Sequence, residues 1–201
     1  MKKLAVLISN GGTGSNLQAI IDVIEKKILK AEIAIVVSDT PDALGLQRAR
    51  KHHIPTLISS KKDNLTELLH STYAVDFIVL AGWKKIVSDK MIDMFENRIL
   101  NLHPGLIPDA FDGVVKCPDG SIGEWNRGKF TDKAIQNFLD RNDTYAGSTI
   151  HFLSHEFDFG TILKRCFVKI EKGDTVERLY GRLKNEEHRI YIESLITLCN
   201  E

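Results

Sequence analysis

Residues 4–24 read LAVLISNGGTGSNLQAIIDVI, and this stretch decides the fold class. The apolar run from Leu4 to Ile8 is typical of a buried strand. A glycine-rich turn follows, and apolar residues then recur at helical spacing from about Ser15 to Lys27, which predicts an amphipathic helix. A buried strand that passes through a glycine turn into such a helix is typical of an α/β domain with a parallel sheet.

The same alternation continues through the first half of the chain, and the second half differs. The further predicted strands are at 33–37, 54–58, 77–81 and 99–102. A helix is predicted at 42–52, and residues 64–69 predict the start of another. Residues 148–153 and 162–170 predict an antiparallel strand pair, and a long amphipathic helix follows with Asp174 as its predicted N-cap. The sequence therefore predicts a doubly wound, mostly parallel, Rossmann-like α/β sheet with an antiparallel C-terminal strand pair and a long C-terminal helix.

Charge and composition exclude several classes of protein. Among the 201 residues Lys+Arg and Asp+Glu are equal at 27 each, so no global positive field favours nucleic acid. The first apolar run is too short for a signal peptide, and no run is long enough to span a membrane. The three cysteines are widely spaced and odd in number, which indicates free thiols in a reducing cytoplasm. We therefore predict a cytoplasmic protein whose partners are small molecules, neither nucleic acid nor membrane.

The glycine turn after the first strand is the first candidate site. It contains Gly12, Thr13, Gly14, Ser15 and Asn16. Glycines let backbone amides approach a ligand, and the following helix N-terminus carries partial positive charge, so the turn suits a phosphate. A plain tight turn with a helix cap remains the alternative, because neither a P-loop nor a G-x-G-x-x-G pattern is present.

Asn101 and His103 form the second candidate site, at the carboxyl end of a predicted strand. Being two residues apart, they point to the same side of the strand. An amide that donates hydrogen bonds and an imidazole that exchanges a proton near neutral pH can together stabilise an oxyanion and transfer a proton. A polar strand end that caps a loop is the alternative.

Asp158 is the third candidate, in the turn-like stretch 154–160. A carboxylate placed against an imidazole raises its pKa and fixes its orientation. Glu156 competes for this role on composition alone, and His151 is equally compatible with a core or a functional position. The histidines lack zinc-ligand spacing and no G-x-S-x-G elbow is present, so no metal site and no serine hydrolase is predicted.

In order along the chain, these stretches resemble the formyltetrahydrofolate-dependent formyltransferases. The glycine turn with Ser15-Asn16-Leu17 resembles that family's phosphate loop, and residues 80–87 (LAGWKKIV) resemble its folate-contacting strand end. The sequence NLHP at 101–104 is similar to its catalytic motif, and Asp158-x-Gly160 to its acidic partner. Residues 187–191 (EHRIY) are similar to a family segment that contacts the acceptor.

The resemblance implies transfer of a formyl group from 10-formyltetrahydrofolate, the co-substrate, to the amine of glycinamide ribonucleotide, without a metal. It implies that the amine attacks the formyl carbon and that Asn101 and His103 hold the oxyanion. Asp158 then orients the imidazole, and His103 delivers a proton to N10 of the folate. The acceptor-binding residues implied are Gly12, Thr13, Gly14, Ser15, Asn16, Lys184 and Glu187. The folate-binding residues implied are Lys84, Lys85, Ile86, Val87, Asn101, Ser154, His155, Glu156, Phe157 and Asp158.

The chain departs from the family pattern in three places. Gly105 stands where Ser is common, Gly12-Thr13 lengthens the phosphate loop, and residues 109–132 replace the usual active-site loop. We predict that this insertion closes over substrate with Trp125 as an anchor. One domain is expected over 1–201, with a nucleotide- and phosphate-binding half at 1–100 and a catalytic and folate-binding half at 101–201.

Two other functions stay open on the sequence. The altered loop is compatible with a formyltransferase for an amino sugar nucleotide, and the scaffold with a non-catalytic folate- or nucleotide-binding protein. Retention of Asn101, His103 and Asp158 together favours an enzyme. Formyltetrahydrofolate hydrolases normally begin with a regulatory domain, and since this sequence opens on the first predicted strand, we do not expect a hydrolase. A homodimer is left open as the oligomeric state.

Overall fold

The computed structural model describes residues 1–59 and 64–200. These residues form two compact units. The first contains Met1–Asn101 and the residues from Leu195 onward, and the second contains Leu102–Ser194. The functional roles expected for the two halves of the chain stay predictions.

The first unit is built on parallel strands in the order β3-β2-β1-β4-β5. Residues Leu4–Ile8 of β1 are at most 2% exposed, as expected for a strand that is covered on both faces. The strands are β1 (Lys2–Ile8), β2 (Ala31–Ser38), β3 (Thr56–Ile58), β4 (Phe77–Leu80) and β5 (Ile99–His103). The helices are α1 (Ser15–Glu25), α2 (Leu44–Lys51), α3 (Leu65–Glu67), which continues as a π-helical turn (Leu68–Thr72), and α4 (Asp89–Met94). The predicted parallel α/β sheet is confirmed.

The second unit contains the end of β5 and the antiparallel strand pair β8 and β9. Its elements are the hairpin β6 (Val115–Lys116) and β7 (Ile122–Gly123), α5 (Thr131–Asp140), β8 (Tyr145–Phe152), β9 (Ile162–Lys169) and α6 (Val176–Cys199). The predicted antiparallel pair corresponds to β8 and β9, and the predicted long helix to α6. Helix α5 was not predicted, although Ala134, Ile135 and Phe138 have helical spacing and are buried.

The predicted N-cap of the long helix is wrong. Helix α6 begins at Val176, and the hydroxyl of Thr175 accepts a hydrogen bond from the backbone N–H of Arg178 at 3.3 Å. The carboxylate of Asp174 instead accepts from the Glu171 N–H at 2.8 Å and pairs with the guanidinium of Arg182 at 2.5 Å. This ion pair holds the Asp174 carboxylate away from the first turn of the helix.

No helix within the described residues is both long and apolar enough to cross a membrane. Among the same residues, no group of three or more His, Cys, Asp or Glu side chains is arranged to hold a metal ion.

The insertion at 109–132 is an ordered structure whose anchor is Asn126. Its side chain is fully buried, and its Nδ2 donates to the carbonyl oxygens of Pro104 and Ala134, both at 3.2 Å. Its Oδ1 accepts from Asn137 Nδ2 at 2.8 Å. One side chain thus ties the insertion to the chain after β5 and to helix α5.

Replacement of Asn126 by alanine is expected to lower the free energy of unfolding by about 2–4 kcal/mol, since it removes three side-chain hydrogen bonds and leaves a cavity at a fully buried position. Asn142→Ala is the matched control, because Asn142 has a similar left-handed backbone (φ 53° against 58°) but an exposed side chain. The control should cost less than about 1 kcal/mol in urea denaturation. Equal losses in the two variants would show that the backbone conformation, not the buried hydrogen bonds, is responsible.

Candidate functional site

The glycine turn follows β1 and ends at Gly14, which is the N-cap of α1 and has a φ of 70°. A Cβ at this position would lie 2.9 Å from the Cα of Gly45, so glycine is needed both for the backbone angle and for the approach of α2. Since glycine has no side chain, no side-chain cap occupies the start of α1. The helix N-terminus therefore keeps the amide groups and partial positive charge that suit an anion.

Two further polar groups lie at this turn. The Oδ1 atom of Asn16 is buried and has no hydrogen-bond partner among the described residues. The ammonium of Lys84 lies 2.8 Å from the position that a Cβ on Gly11 would take, and the Lys84 N–H donates to Ser9 Oγ at 2.9 Å. The chain after β4 thus rests against the turn and places a cation there.

The remaining residues expected to contact folate in the first unit follow β4. Lys85 and Ile86 are exposed, Ile86 to 89%, and Val87 is half-buried. A side chain as apolar as Ile86 at this exposure is available to an apolar ligand.

Strand β5 positions Asn101 and His103. His103 is 2% exposed, and Asn101 is half-buried two residues earlier on the strand. The Nδ1 atom of His103 lies 3.7 Å from Asp158 Oδ1, and its Nε2 atom lies 2.7 Å from the carbonyl oxygen of Trp125. The structure therefore brings His103 and Asp158 together, as the resemblance implied.

The environment of His103 acts on its pKa in opposite directions. Burial lowers the pKa of His103, and the cation of Lys129 acts in the same direction. The carboxylate of Asp158 and the carbonyl of Trp125 oppose this effect, because both favour the imidazolium. His151, buried and 6.5 Å away between ring centroids, has a pKa lowered to about 3 by burial and by His103. His151 is therefore neutral. Of the two histidines, His103 is the one that lies beside a carboxylate, that of Asp158.

The turn 154–160 presents Asp158. Ser154 Oγ donates to the carbonyl of Phe159 at 3.0 Å, so this hydroxyl holds the turn. Asp158 has a φ of 51°, and its Oδ2 accepts from the Gly128 N–H at 2.7 Å. Glu156 is exposed and pairs with Arg127 at 3.8 Å. Of the two acidic candidates, Asp158 is the one that pairs with His103.

Glu187 is a buried carboxyl group on α6 that accepts a hydrogen bond from Ser148 Oγ at 2.6 Å. Burial raises the pKa of Glu187 to about 7, although the Ser148 hydrogen bond and the charge of Lys184 act against the rise. Lys184 lies one turn earlier, with its ammonium 5.8 Å from the Tyr180 ring centroid. No sequence signal pointed to Ser148, whose role depends on the packing of β8 against α6.

The raised pKa of Glu187 predicts a pH-dependent stability. The folded state binds this proton more tightly than the unfolded state, whose pKa is near the ordinary 4.5. Stability from this group is therefore fully present below about pH 4.5 and is lost as the pH rises through about 7. Between pH 4.5 and 8, the wild type should lose roughly 3 kcal/mol of unfolding free energy relative to Glu187→Gln. Urea titrations of both proteins test this, with Glu96→Gln at an exposed position as the control; a constant difference across that range contradicts it.

Together, the parallel sheet, the glycine turn at a helix start and the His103–Asp158 pair at a strand end define an α/β enzyme. The family model described as formyl transferase matches residues 2–195, and the chain belongs to this family. The resemblance found in the sequence is thereby confirmed.

Several relatives share the name phosphoribosylglycinamide formyltransferase. The phosphoribosylglycinamide formyltransferase of Haemophilus influenzae is 36% identical over 95% of this chain and 84% of its own length. That of Escherichia coli is 35% identical over 94% of this chain and 82% of its own length. The chain spans 66% and 62% of two plant relatives, the chloroplastic enzymes of Arabidopsis thaliana and Vigna unguiculata.

Solved structures give the same result. Glycinamide ribonucleotide transformylase 1 from Symbiobacterium toebii has a TM-score of 0.80 and 36% identity, with 98% of this chain and 86% of that chain covered. A formyltetrahydrofolate deformylase from Pseudomonas syringae, at 20% identity, shares the fold.

Proposed function

We propose that the protein transfers the formyl group of 10-formyltetrahydrofolate to the amine of glycinamide ribonucleotide, a step of purine biosynthesis. Membership of the formyl transferase family and the names of the relatives support this proposal. The observation that carries the chemistry is the buried His103 beside Asp158, two residues after Asn101 on β5. A binding module has no need of this set of groups, so the non-catalytic alternative is disfavoured.

In the proposed mechanism, the acceptor amine attacks the formyl carbon, and the Asn101 amide and the His103 imidazolium stabilise the oxyanion. The bond from the formyl carbon to N10 then breaks. His103 gives a proton to N10 and recovers one from the attacking amine, so the net change is one proton moved from the amine to tetrahydrofolate. Asp158 favours the charged imidazole during both transfers.

The binding roles are proposed from the resemblance to the family. We assign the acceptor phosphate to the turn Gly12, Thr13, Gly14, Ser15 and Asn16, and other parts of the acceptor to Lys184 and Glu187. We assign the folate to residues 84–87, to Asn101 and to the turn that contains Ser154, His155, Glu156, Phe157 and Asp158. The protein is proposed to act in the cytoplasm on small molecules, without nucleic acid, membrane or metal.

The position of the Lys84 ammonium against the glycine turn suggests that it also contacts the phosphate. Lys84→Met is expected to raise the KM for the acceptor roughly tenfold, the equivalent of one hydrogen bond to a charged group. Lys26→Met, at the opposite end of α1 and exposed, is the matched control and should leave that KM unchanged. An acceptor KM that is unchanged in Lys84→Met would show that the Lys84 ammonium does not contribute to phosphate binding.

The deciding experiment supplies the purified protein with 10-formyltetrahydrofolate and follows folate release spectrophotometrically. Release that requires glycinamide ribonucleotide supports the proposal. Release with an amino sugar nucleotide instead supports the alternative acceptor, which the atypical 109–132 segment motivates. Release without any acceptor indicates hydrolysis, and no release under any condition supports a binding protein.

A further inference from the structure

We propose that residues 124–128, here called the clamp segment, position His103 and Asp158 for catalysis. The segment keeps one proton of His103 on Nε2, so that Nδ1 is the nitrogen that exchanges protons. This inference rests on the proposed function and adds to it a tautomer and a positioning element. The clamp segment lies in the insertion where the sequence departs from the family pattern.

The contact at His103 fixes the tautomer. The Nε2 atom of His103 lies 2.7 Å from the carbonyl oxygen of Trp125, a hydrogen-bond distance. A carbonyl oxygen only accepts hydrogen bonds, so Nε2 must carry a hydrogen in the neutral and in the charged imidazole alike. The proton that comes and goes is consequently the one on Nδ1, which faces Asp158 Oδ1 at 3.7 Å.

The same segment holds Asp158 at two points. The Gly128 N–H donates to Asp158 Oδ2 at 2.7 Å, which leaves Oδ1 directed at the imidazole. The Trp125 indole Nε1 donates to the backbone carbonyl of Asp158 at 3.0 Å. Since Asp158 has a left-handed backbone (φ 51°), these two bonds stabilise a conformation that is otherwise disfavoured.

The clamp segment is itself anchored. The Glu124 carbonyl accepts from the Leu106 N–H at 2.9 Å, and Asn126 makes the buried hydrogen bonds described above. The Trp125 ring packs against Phe111 and Phe159, with ring centroids 5.5 and 5.8 Å apart. Its carbonyl therefore has little freedom to leave His103.

Gly105 explains how the carbonyl comes so close. A Cβ on Gly105 would lie 1.8 Å from the Trp125 carbonyl oxygen, a distance that no side chain permits. The glycine that stands where the family commonly has serine is thus required by the clamp segment. Gly105 and the insertion that contains the clamp segment are therefore one structural feature.

The test is Gly105→Ala, which must displace the Trp125 carbonyl from His103. Its kcat for formyl transfer is expected to fall about 30-fold or more, while the KM of each substrate stays within about twofold. The groups that face His103 are Asp158, the Trp125 carbonyl, Lys129 and His151. Loss of the carbonyl disfavours the imidazolium, so the high-pH limb of kcat should move to lower pH. Gly181→Ala is the matched control, because Gly181 is exposed in α6 and an added Cβ meets no atom within 4 Å.

A second measurement needs neither substrate nor turnover. Nitrogen-15 NMR of imidazole-labelled protein should show neutral His103 protonated at Nε2. A neutral form protonated at Nδ1 would overturn the proposal even if formyl transfer is observed. The Nε2–H form in a protein without transferase activity would support the clamp and contradict the proposed function.

A second variant covers the case in which Gly105→Ala fails to fold. Trp125→Phe keeps the aromatic ring and the backbone carbonyl but removes the indole donor to Asp158. It should lower kcat about tenfold with His103 still protonated at Nε2. The proposal is overturned if kcat is unchanged in both variants, or if it is unchanged in Trp125→Phe while Gly105→Ala is unfolded. The clamp segment would then have a structural role only.

Discussion

His103→Ala is expected to lower kcat by about 10²- to 10³-fold, because the imidazole both stabilises the oxyanion and carries the proton to N10. Asp158→Asn should lower it by a comparable factor, since the amide keeps the size of the carboxylate but no longer favours the imidazolium. The double variant should be little worse than either single variant, as groups that act as a unit are not additive.

Steady-state kinetics with both substrates, together with circular dichroism to confirm folding, checks this expectation. Asp119→Asn is the control, because Asp119 lies in the insertion at 109–132, is exposed and makes side-chain hydrogen bonds with Ser121 and Thr144. Activity close to that of the wild type in His103→Ala or Asp158→Asn would remove that residue from the mechanism. Strict additivity in the double variant would show that the two residues act separately.

Asn101→Ala is expected to give the second-largest loss, about 10²-fold in kcat, through removal of a donor to the oxyanion. Asn101→Asp should lose more, because a carboxylate has a similar size but repels the developing negative charge. Asn142→Ala serves as the exposed control. The measurement is kcat at saturating folate, and an aspartate variant more active than the alanine variant would contradict an oxyanion role for Asn101.

The sheet was predictable because its signal is local. The continuous apolar run of β1 and the helical spacing after Gly14 reflect the burial of a parallel strand and one face of α1. The hairpin β6–β7 was not predicted, since each strand has only two residues and turn residues dominate the segment.

The residues of the candidate site were predictable where they belong to a sequence motif. Asn101 and His103 lie two residues apart on one strand, and Asp158 was assigned to His103 by resemblance, which the 3.7 Å distance supports. The contact of His103 with a backbone carbonyl could not be predicted, because any residue type supplies a carbonyl. Its position depends on Asn126 and on a chain approach that only Gly105 permits.

The prediction that the insertion closes over substrate stays a prediction. Deletion of residues 114–128 would not test closure cleanly, because it also removes the buried side chains of Val115, Cys117 and Asn126. Point substitutions at Gly105 and Trp125 leave those residues in place and separate a role in closure from a role in holding His103.

The most direct test of formyl transfer by this protein is the folate-release assay with purified protein, 10-formyltetrahydrofolate and glycinamide ribonucleotide. We expect release that depends on the acceptor, yields one formylated acceptor per tetrahydrofolate and falls at least 10²-fold in His103→Ala. Release that is independent of the acceptor, or that persists in the His103 variant, would contradict it.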